Sequence, residues 1–217
     1  MALKDLNSSS KVFENENVIV GSGAGGSTAA FELLKRGKEC LILEEGPDVS
    51  NLKDKNVGCN IINLYQNNGA TPLYSFNGGP LIGYGQGSCV GGSTYVNAGY
   101  FSNTPEWVYE KWIEEKKINM TYLEFQNLFK ELRTEIGVST ENLSNKDGAS
   151  KILVDLFNQK KIKIEKCERF SDGVADAEKN NMNKTYHKEL FKKNVDIIHN
   201  CKVIKIYHKE GIAYKLA

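Results

Sequence analysis

The clearest pattern of apolar and polar positions lies near the start of the chain. Val18–Val20 form a short apolar run that predicts a buried parallel strand, and Leu41–Leu43 predict a second one. Between them, residues 27–36 predict a helix. Its sheet-facing side is expected to carry the apolar residues that recur at helical spacing, namely Ala29, Ala30, Leu33 and Leu34. The pattern therefore predicts a βαβ unit over residues 18–46, the start of an α/β fold.

The next two segments differ in character. Residues 47–77 are rich in loop-forming positions, whereas residues 105–137 carry apolar and aromatic side chains at helical spacing. Thr121 and Glu124 have the spacing of a capping box, which predicts the start of a helix. Core packing is expected for the apolar residues of this segment, namely Trp107, Val108, Trp112, Ile113, Tyr122, Phe125, Leu128, Phe129 and Leu132.

The pattern changes again after this helical segment. Residues 138–150 are polar and predict a linker, and residues 151–159 predict a further helix. Residues 160–166 alternate between lysine or glutamate and isoleucine, which predicts a solvated edge strand.

A glycine-rich turn joins the first strand to the first helix, and its spacing predicts a dinucleotide site. Gly21 permits a tight bend, Gly23 lets the backbone approach a pyrophosphate, and Gly26 lets the helix press against the strand. Free backbone N–H groups at the helix start face the phosphates. Glu44 ends the second strand, where its carboxylate can accept hydrogen bonds from both ribose hydroxyls and would repel a 2′-phosphate. The motif therefore disfavours NADP and leaves NAD and FAD open.

A second glycine-rich stretch covers residues 78–99 and contains eight glycines. This is too many for a packed helix or a regular strand, so the backbone here is expected to approach a ligand closely. Consecutive N–H groups can form an anion-holding nest, and small side chains leave room for a flat ring. Residues 87–97, with the sequence GSCVGGSTYVN, resemble the first signature of the glucose-methanol-choline (GMC) oxidoreductases, a family of FAD-dependent alcohol oxidases and dehydrogenases.

The resemblance continues along the chain in the order of the family. The first glycine turn is similar to the family's amino-terminal fingerprint, and residues 184–186 and 197–206 are similar to the strand that returns to the FAD domain. The resemblance implies an α/β, Rossmann-like FAD-binding fold with a βαβ dinucleotide motif and helical and loop-rich insertions. The implied divisions are a polar lead at 1–17 and an FAD-binding domain at 18–217, with a cofactor-covering segment at 47–104, a helical insertion at 105–182 and a return at 183–217.

The same resemblance implies which residues contact FAD. Residues 91–93 would lie against the pyrophosphate and the ribityl chain, Asn97 and Ala98 beside the isoalloxazine ring, and the backbone of Val203 against the adenine. The full set of implied cofactor-binding residues is Gly21, Gly23, Ala24, Gly25, Gly26, Glu44, Glu45, Gly87, Gly91, Gly92, Ser93, Asn97, Ala98 and Val203.

The resemblance also implies components that this sequence does not match. GMC enzymes resemble one another in having a substrate domain and a carboxy-terminal histidine, which takes the hydroxyl proton of an alcohol while hydride passes to flavin N5. A missing or truncated substrate domain is therefore expected, with no catalytic residue in this chain. The expected partners are a small alcohol and either the missing domain or a partner chain. His187, His199 and His208 are expected to be solvated or capping residues.

Two other functions stay open at this point. A nicotinamide-dependent dehydrogenase would use Glu44 to bind NAD, but it leaves the glycine-rich stretch at 78–99 unexplained. A non-catalytic nucleotide-binding fragment would need a partner chain, and it predicts exposed apolar surface where the missing domain should dock.

Composition adds a few limits. A net charge of +1 gives no reason to expect a nucleic-acid partner. The first 17 residues lack the apolar core of a secretory signal and no run is long enough to span a bilayer, so a cytoplasmic location is expected. The five cysteines lack metal-ligand spacing, which predicts reduced thiols and no metal site. Cys89, within the second glycine-rich stretch, is expected to have a packing role.

Overall fold

The computed structural model describes residues 3–5, 13–50, 52, 57–69, 71–116, 119–140, 148–164, 167–171 and 179–217. These residues form two compact units. The first unit is drawn from residues 1–97 and 181–217, and the second from residues 98–180.

The described elements are short strands and helices of one to four turns. The strands are β1 (Leu3–Asp5), β2 (Val18–Val20), β3 (Leu41–Leu43), β4 (Thr71–Leu73), β5 (Ile82–Tyr84), β6 (Tyr100–Phe101), β7 (Val138–Thr140), β8 (Glu168–Phe170), β9 (Asp196–His199), β10 (Ile206–Lys209) and β11 (Ile212–Leu216). The helices are α1 (Ala24–Lys35), α2 (Val57–Leu64), α3 (Ser93–Val96), α4 (Glu106–Lys116), α5 (Tyr122–Ile136), α6 (Gly148–Gln159) and α7 (Tyr186–Lys192), and a 3₁₀ turn lies at Gln66–Gly69.

The first unit is built on a parallel sheet with the strand order β1-β9-β3-β2. The predicted βαβ unit is confirmed, because β2 and β3 pair in parallel and α1 connects them. Burial of β2 was predicted wrongly. This strand lies at the edge of the sheet, and Val20 is 53% exposed. Its run of three apolar residues could not distinguish an edge strand from a central one.

Apolar side chains cover both faces of this sheet. On one face, Ala30 of α1 and Leu190 of α7 pack with Ile42 and Ile197 of the central strands, and all four are fully buried. Complete burial of an aliphatic side chain contributes roughly 1.5–3 kcal/mol, so this cluster fixes both helices on the sheet. On the other face, Leu41, Leu43 and Ile198 pack against Cys201, Val203 and Leu216.

The first helix differs from its prediction in two details. It begins at Ala24 and not at residue 27, because the helix continues back to the glycine turn. Ala29 is exposed, whereas Ala30, Leu33 and Leu34 pack on the core as predicted. Stacking of Phe31 on Tyr186, with ring centroids 4.5 Å apart, adds a direct contact between α1 and α7.

The segment after β3 contains more regular structure than a loop. It includes α2 and an antiparallel hairpin formed by β4 and β5. Leu64 of α2 packs with Val49 and Cys89 in a separate small cluster, which ties this segment to the second glycine-rich stretch.

The second unit holds an antiparallel sheet in the order β6-β8-β7 together with α4, α5 and α6. The predicted capping box is confirmed, since the hydroxyl of Thr121 accepts the N–H of Glu124 and the Glu124 carboxylate accepts the N–H of Thr121. Phe101, Phe125 and Phe129 make edge-to-face ring contacts. Trp107, Trp112 and Leu128, in contrast, are 67%, 39% and 48% exposed, so the prediction of core packing is wrong for these three residues.

Two other predictions in this unit need correction. Residues 138–140 belong to β7 and residues 148–150 open α6, so the predicted linker at 138–150 is partly regular structure, and its middle lies outside the described residues. Residues 162–164 form no strand, and the rest of the predicted strand after them lies outside the described part of the chain. Alternation alone gave these isoleucines no neighbouring strand to pair with.

Candidate functional site

The first glycine turn joins β2 to α1 with almost no space between turn and helix. Gly21 has φ +92°, and its N–H donates to the carbonyl of Leu43 at 2.7 Å. A Cβ atom on Gly26 would lie 1.9 Å from the carbonyl oxygen of Gly21 and 3.1 Å from Cγ2 of Ile19. Only glycine fits at position 26, because any side chain would push the helix away from the turn.

The start of α1 has the properties of an anion site. Gly23 is the residue at the N-cap, and in the described structure no side chain caps this helix and no acid lies in its first turn. The leading N–H groups of a helix have no intrahelical acceptor, and the helix dipole favours negative charge there. Ala24 and Gly25, both predicted to contact the cofactor, are exposed at this end of the helix.

Glu44 is a buried carboxylate held by three donors from the protein. Its Oε2 accepts the N–H of Ser22 at 2.8 Å and the hydroxyl of Ser22 at 2.7 Å, and its Oε1 accepts the N–H of Gly46 at 2.9 Å. Glu44 is only 4% exposed, so these bonds replace water around the charge. A carboxylate offers about four acceptor positions, which leaves one for a hydroxyl group of a ligand and not the two that the sequence analysis expected.

Ser22 also connects the first turn to the second glycine-rich stretch. The N–H of Gly91 donates to the hydroxyl of Ser22 at 3.0 Å. A Cβ atom on Gly92 would lie 2.9 Å from Cα of Gly23, so the two stretches touch through their backbones. Gly87 is similarly confined, since its Cβ would lie 2.8 Å from the carbonyl carbon of Gly92. The structure therefore brings Gly21, Gly23, Glu44, Gly91 and Gly92 into one site.

Ser22 was missed by the sequence analysis, although it stands between two predicted glycines. A small residue between glycines predicts only a turn, and the sequence could not show that its hydroxyl would meet a residue 69 positions away. The contact depends on the register of two loops from different parts of the chain.

The remaining predicted residues surround this centre. The hydroxyl of Ser93 accepts the N–H of Gly87 at 3.0 Å, and Asn97 and Ala98 are exposed. The Glu45 carboxylate lies 3.6 Å from the ammonium group of Lys202 and also accepts from the side chain of Gln66. Val203 is partly buried against the sheet cluster that contains Leu41, Leu43 and Ile198.

The predictions for the three histidines have different outcomes. His208 is exposed, as predicted, and His199 is partly buried at the end of β9. His187 was predicted wrongly, because it is fully buried and neither solvated nor a cap. Its Nε2 lies 2.8 Å from the hydroxyl of Ser27, and burial lowers its pKa to about 4. The lowered pKa makes His187 a poor general base near neutral pH.

The thiols that the structure describes differ in burial. Cys40 and Cys89 are buried, Cys167 is exposed and Cys201 is partly buried. Cys89 packs with Val49 and Leu64, which agrees with its predicted packing role. Across the described ranges, no group of three or more His, Cys, Asp or Glu residues could hold a metal ion. The helices that the structure describes include none with the length and apolar character needed to cross a membrane.

Comparison with known proteins decides the family. A family model described as GMC oxidoreductase matches residues 15–216, which is nearly the whole chain. The chain belongs to the GMC oxidoreductase family. It is 35% identical over 128 residues to the long-chain-alcohol oxidase FAO4B of Arabidopsis thaliana, a match that covers 56% of this chain and 16% of that protein.

Solved structures share the fold of this GMC chain at low sequence identity. Formate oxidase of Aspergillus oryzae has a TM-score of 0.67 and 14% identity over 93% of this chain and 41% of its own. Pyridoxine 4-oxidase from Mesorbium loti has a TM-score of 0.68 and 12% identity over 94% of this chain and 45% of its own. The chain thus spans less than half of each of these relatives.

These findings confirm three predictions from the sequence. The family is the GMC oxidoreductases, the fold is the α/β FAD-binding fold, and the cofactor of the family is FAD. The geometry agrees with that cofactor, because the site offers uncapped N–H groups, a nearly saturated buried carboxylate and glycine backbones in contact.

The contact of Gly26 with the turn predicts that alanine substitutions at the neighbouring positions 25 and 26 have opposite effects on stability. Gly26→Ala should destabilise the cofactor-free chain, because its Cβ would meet backbone at 1.9 Å. Gly25→Ala is the matched control, since nothing lies within 4 Å of a Cβ atom at that position. Alanine is preferred to glycine within a helix, so this variant should raise the free energy of unfolding by about 0.5–1 kcal/mol. Denaturant unfolding measures both. Equal stability of the two variants would contradict this packing.

Proposed function

We propose that this chain binds FAD between its two glycine-rich stretches and forms the flavin-holding part of an oxidoreductase that acts on the CH–OH group of an alcohol. The observation that carries the proposal is the hydroxyl of Ser22, which donates to Glu44 and accepts from Gly91. This hydroxyl fixes the ribose-binding carboxylate and both backbone segments relative to one another. Such preorganisation reduces the entropy that binding must otherwise remove.

Each part of the site has a proposed task. The N–H groups at the start of α1 hold the pyrophosphate, and the remaining acceptor position of Glu44 takes a hydroxyl of the adenosine ribose. The backbone of Gly91 and Gly92 lies against the pyrophosphate and the ribityl chain. Ser93, Asn97 and Ala98 lie beside the flat ring.

We assign the remaining contacts with the ADP half of FAD to residues near the sheet. Val203 contacts the adenine through its backbone. Glu45, paired with Lys202, borders the ribose side of the site. Gly87 keeps the second stretch close to Gly92 and so preserves the shape of the cradle.

FAD, when bound, supplies the acceptor for a hydride from the alcohol carbon. The residues of this chain bind and orient it. We place the proton acceptor outside residues 1–217, because His187 is buried with a lowered pKa.

The proposed substrate class is an alcohol. Two of the relatives support this class, since FAO4B is named for long-chain alcohols and the protein from Mesorbium loti for pyridoxine, whereas the protein from Aspergillus oryzae is named for formate. We also propose a cytoplasmic location, because Cys40, Cys167 and Cys201 are free thiols, as is usual in a reducing compartment.

A second candidate function is that of a nucleotide-binding part that works only with another protein segment. Exposed apolar residues on and around the β4–β5 hairpin favour this reading, namely Leu73, Tyr74, Phe76, Leu81, Ile82 and Tyr84. Exposed apolar groups of this extent are typical of surfaces that another segment covers. This candidate shares the FAD site and differs in predicting that cofactor retention improves when the covering segment is supplied.

FAD uptake tests the proposed function directly. The purified chain should carry the visible absorption of a flavin, or acquire it when FAD is added, and denaturation should release FAD for mass analysis. The proposal predicts that the chain does not bind NAD in place of FAD. Binding of NAD with refusal of FAD would overturn the proposal.

Glu44 should contribute to affinity as a charged acceptor. Glu44→Gln should weaken FAD binding by roughly 1.5–3 kcal/mol, about tenfold to a hundredfold, because charge-assisted bonds are lost. The control is Glu39→Gln, a change at an exposed position outside the site. Titration of cofactor-free chain with FAD, followed by flavin fluorescence, measures both variants. Equal FAD affinities of the Glu44→Gln and Glu39→Gln variants would show that Glu44 does not contact the ribose.

A further inference from the structure

A buried histidine lies behind the first glycine turn without belonging to the predicted site. His187 on α7 is fully buried, and its Nε2 lies 2.8 Å from the hydroxyl of Ser27 on α1. The same hydroxyl lies 2.7 Å from the carbonyl oxygen of Ser22, and both serines are fully buried. A histidine on one helix is thus connected through one hydroxyl to the turn that holds Glu44.

The chemistry of the three groups fixes the direction of both hydrogen bonds. The carbonyl of Ser22 can only accept, so the single proton of the Ser27 hydroxyl is donated to it. The Nε2 of His187 must therefore carry a proton and donate it to the Ser27 oxygen. The second ring nitrogen, Nδ1, then has no proton, and no hydrogen-bond partner lies beside it among the described residues. An added proton there would be a buried, unpaired donor, which agrees with the lowered pKa.

The hydroxyl of Thr28, next to Ser27 on α1, makes the hydrogen bond that is usual for a hydroxyl in a helix. Its Oγ1 donates to the carbonyl of Ala24, four residues earlier, at 2.8 Å. This is the usual local bond of Ser and Thr within a helix. Ser27 has the equivalent carbonyl at Gly23, but its hydroxyl is directed to Ser22 instead. The Nε2–H of His187 donates to the oxygen of Ser27, so the hydroxyl proton of Ser27 points toward the carbonyl of Ser22.

The segment that leads into α7 also touches the second glycine-rich stretch. The N–H of Met182 donates to the hydroxyl of Thr94 at 3.1 Å, and the side-chain amide of Asn183 donates to the carbonyl of Val90 at 3.0 Å. Residues 182–187 therefore contact both stretches from the side of α7, and His187 is the member that acts on the first turn.

We propose that His187 is a positioning residue for the dinucleotide: through Ser27 it holds the carbonyl of Ser22 and keeps the first glycine turn in the conformation that binds the pyrophosphate. This inference rests on the proposed function. The role requires a neutral N–H donor at Nε2 and not merely a side chain that fills space, which separates it from core packing.

Four variants test the role, namely His187→Leu, His187→Gln, Ser27→Ala and the double variant Ser27→Ala with His187→Leu. The leucine removes the donor, whereas the amide nitrogen of glutamine can replace the donor at Nε2. The double variant asks whether the two residues act as one unit. His208→Leu is the control, because His208 is exposed on β10.

Two readouts are needed, and the first uses the chain without FAD. His187→Leu and Ser27→Ala should speed amide hydrogen exchange in the peptide that covers residues 20–27, while the hairpin at 206–216 keeps its exchange rate. His187→Gln should restore the slow exchange. The second readout is FAD affinity, which should fall about tenfold in His187→Leu and Ser27→Ala, fall no further in the double variant and recover in His187→Gln.

The outcomes separate this inference from the proposed function. Unchanged exchange in the 20–27 peptide, or no rescue by glutamine, overturns the role of His187 even if the wild-type chain binds FAD. Refusal of FAD by the wild-type chain overturns the proposed function, while the exchange readout still decides whether His187 holds the turn. If His187→Leu does not fold, Ser27→Ala and His187→Gln give the same decision, because both are small changes.

Discussion

The two hydrogen bonds between Ser22 and the buried carboxylate of Glu44 are the constraint on which the proposed cofactor site depends. A carboxylate that is 4% exposed must have its lost hydration replaced, and here the backbone and hydroxyl of Ser22 and the backbone of Gly46 do so. Because these donors belong to the loops after β2 and β3, the charge determines the relative position of the two loops. The glycines that flank Ser22 let the backbone take this conformation without steric cost.

The rest of the site is positioned by direct contacts with Ser22 and its neighbouring glycines. The hydroxyl of Ser22 reaches the N–H of Gly91, so the second glycine-rich stretch is placed against the first, and the meeting of Gly92 with Gly23 leaves no room for a side chain. The sheet and its two helices supply a rigid base through Ala30, Ile42 and Leu190. Relatives with 12–14% identity share this fold, which is compatible with a site formed largely from backbone groups.

The sequence predicted those features whose causes are local. The strand, glycine turn and helix of residues 18–46 follow from periodicity and from the conformational freedom of Gly21, and the capping box of α5 follows from the spacing of Thr121 and Glu124. The features that it did not predict depend on long-range partners. The exposure of β2 depends on the strand order, and the burial of His187 depends on the packing of α7 against α1. The bond from Gly91 to Ser22 likewise has no signal in either segment alone.

A crystal structure of the chain with FAD is the measurement that tests the central claim most directly. The account predicts that the pyrophosphate lies within hydrogen-bond distance of the N–H groups at the start of α1, that a ribose hydroxyl meets Glu44, and that the bonds between Ser22, Glu44 and Gly91 persist. FAD bound away from the two glycine-rich stretches would contradict the account. So would a complex in which Glu44 has released Ser22 and the stretches have separated.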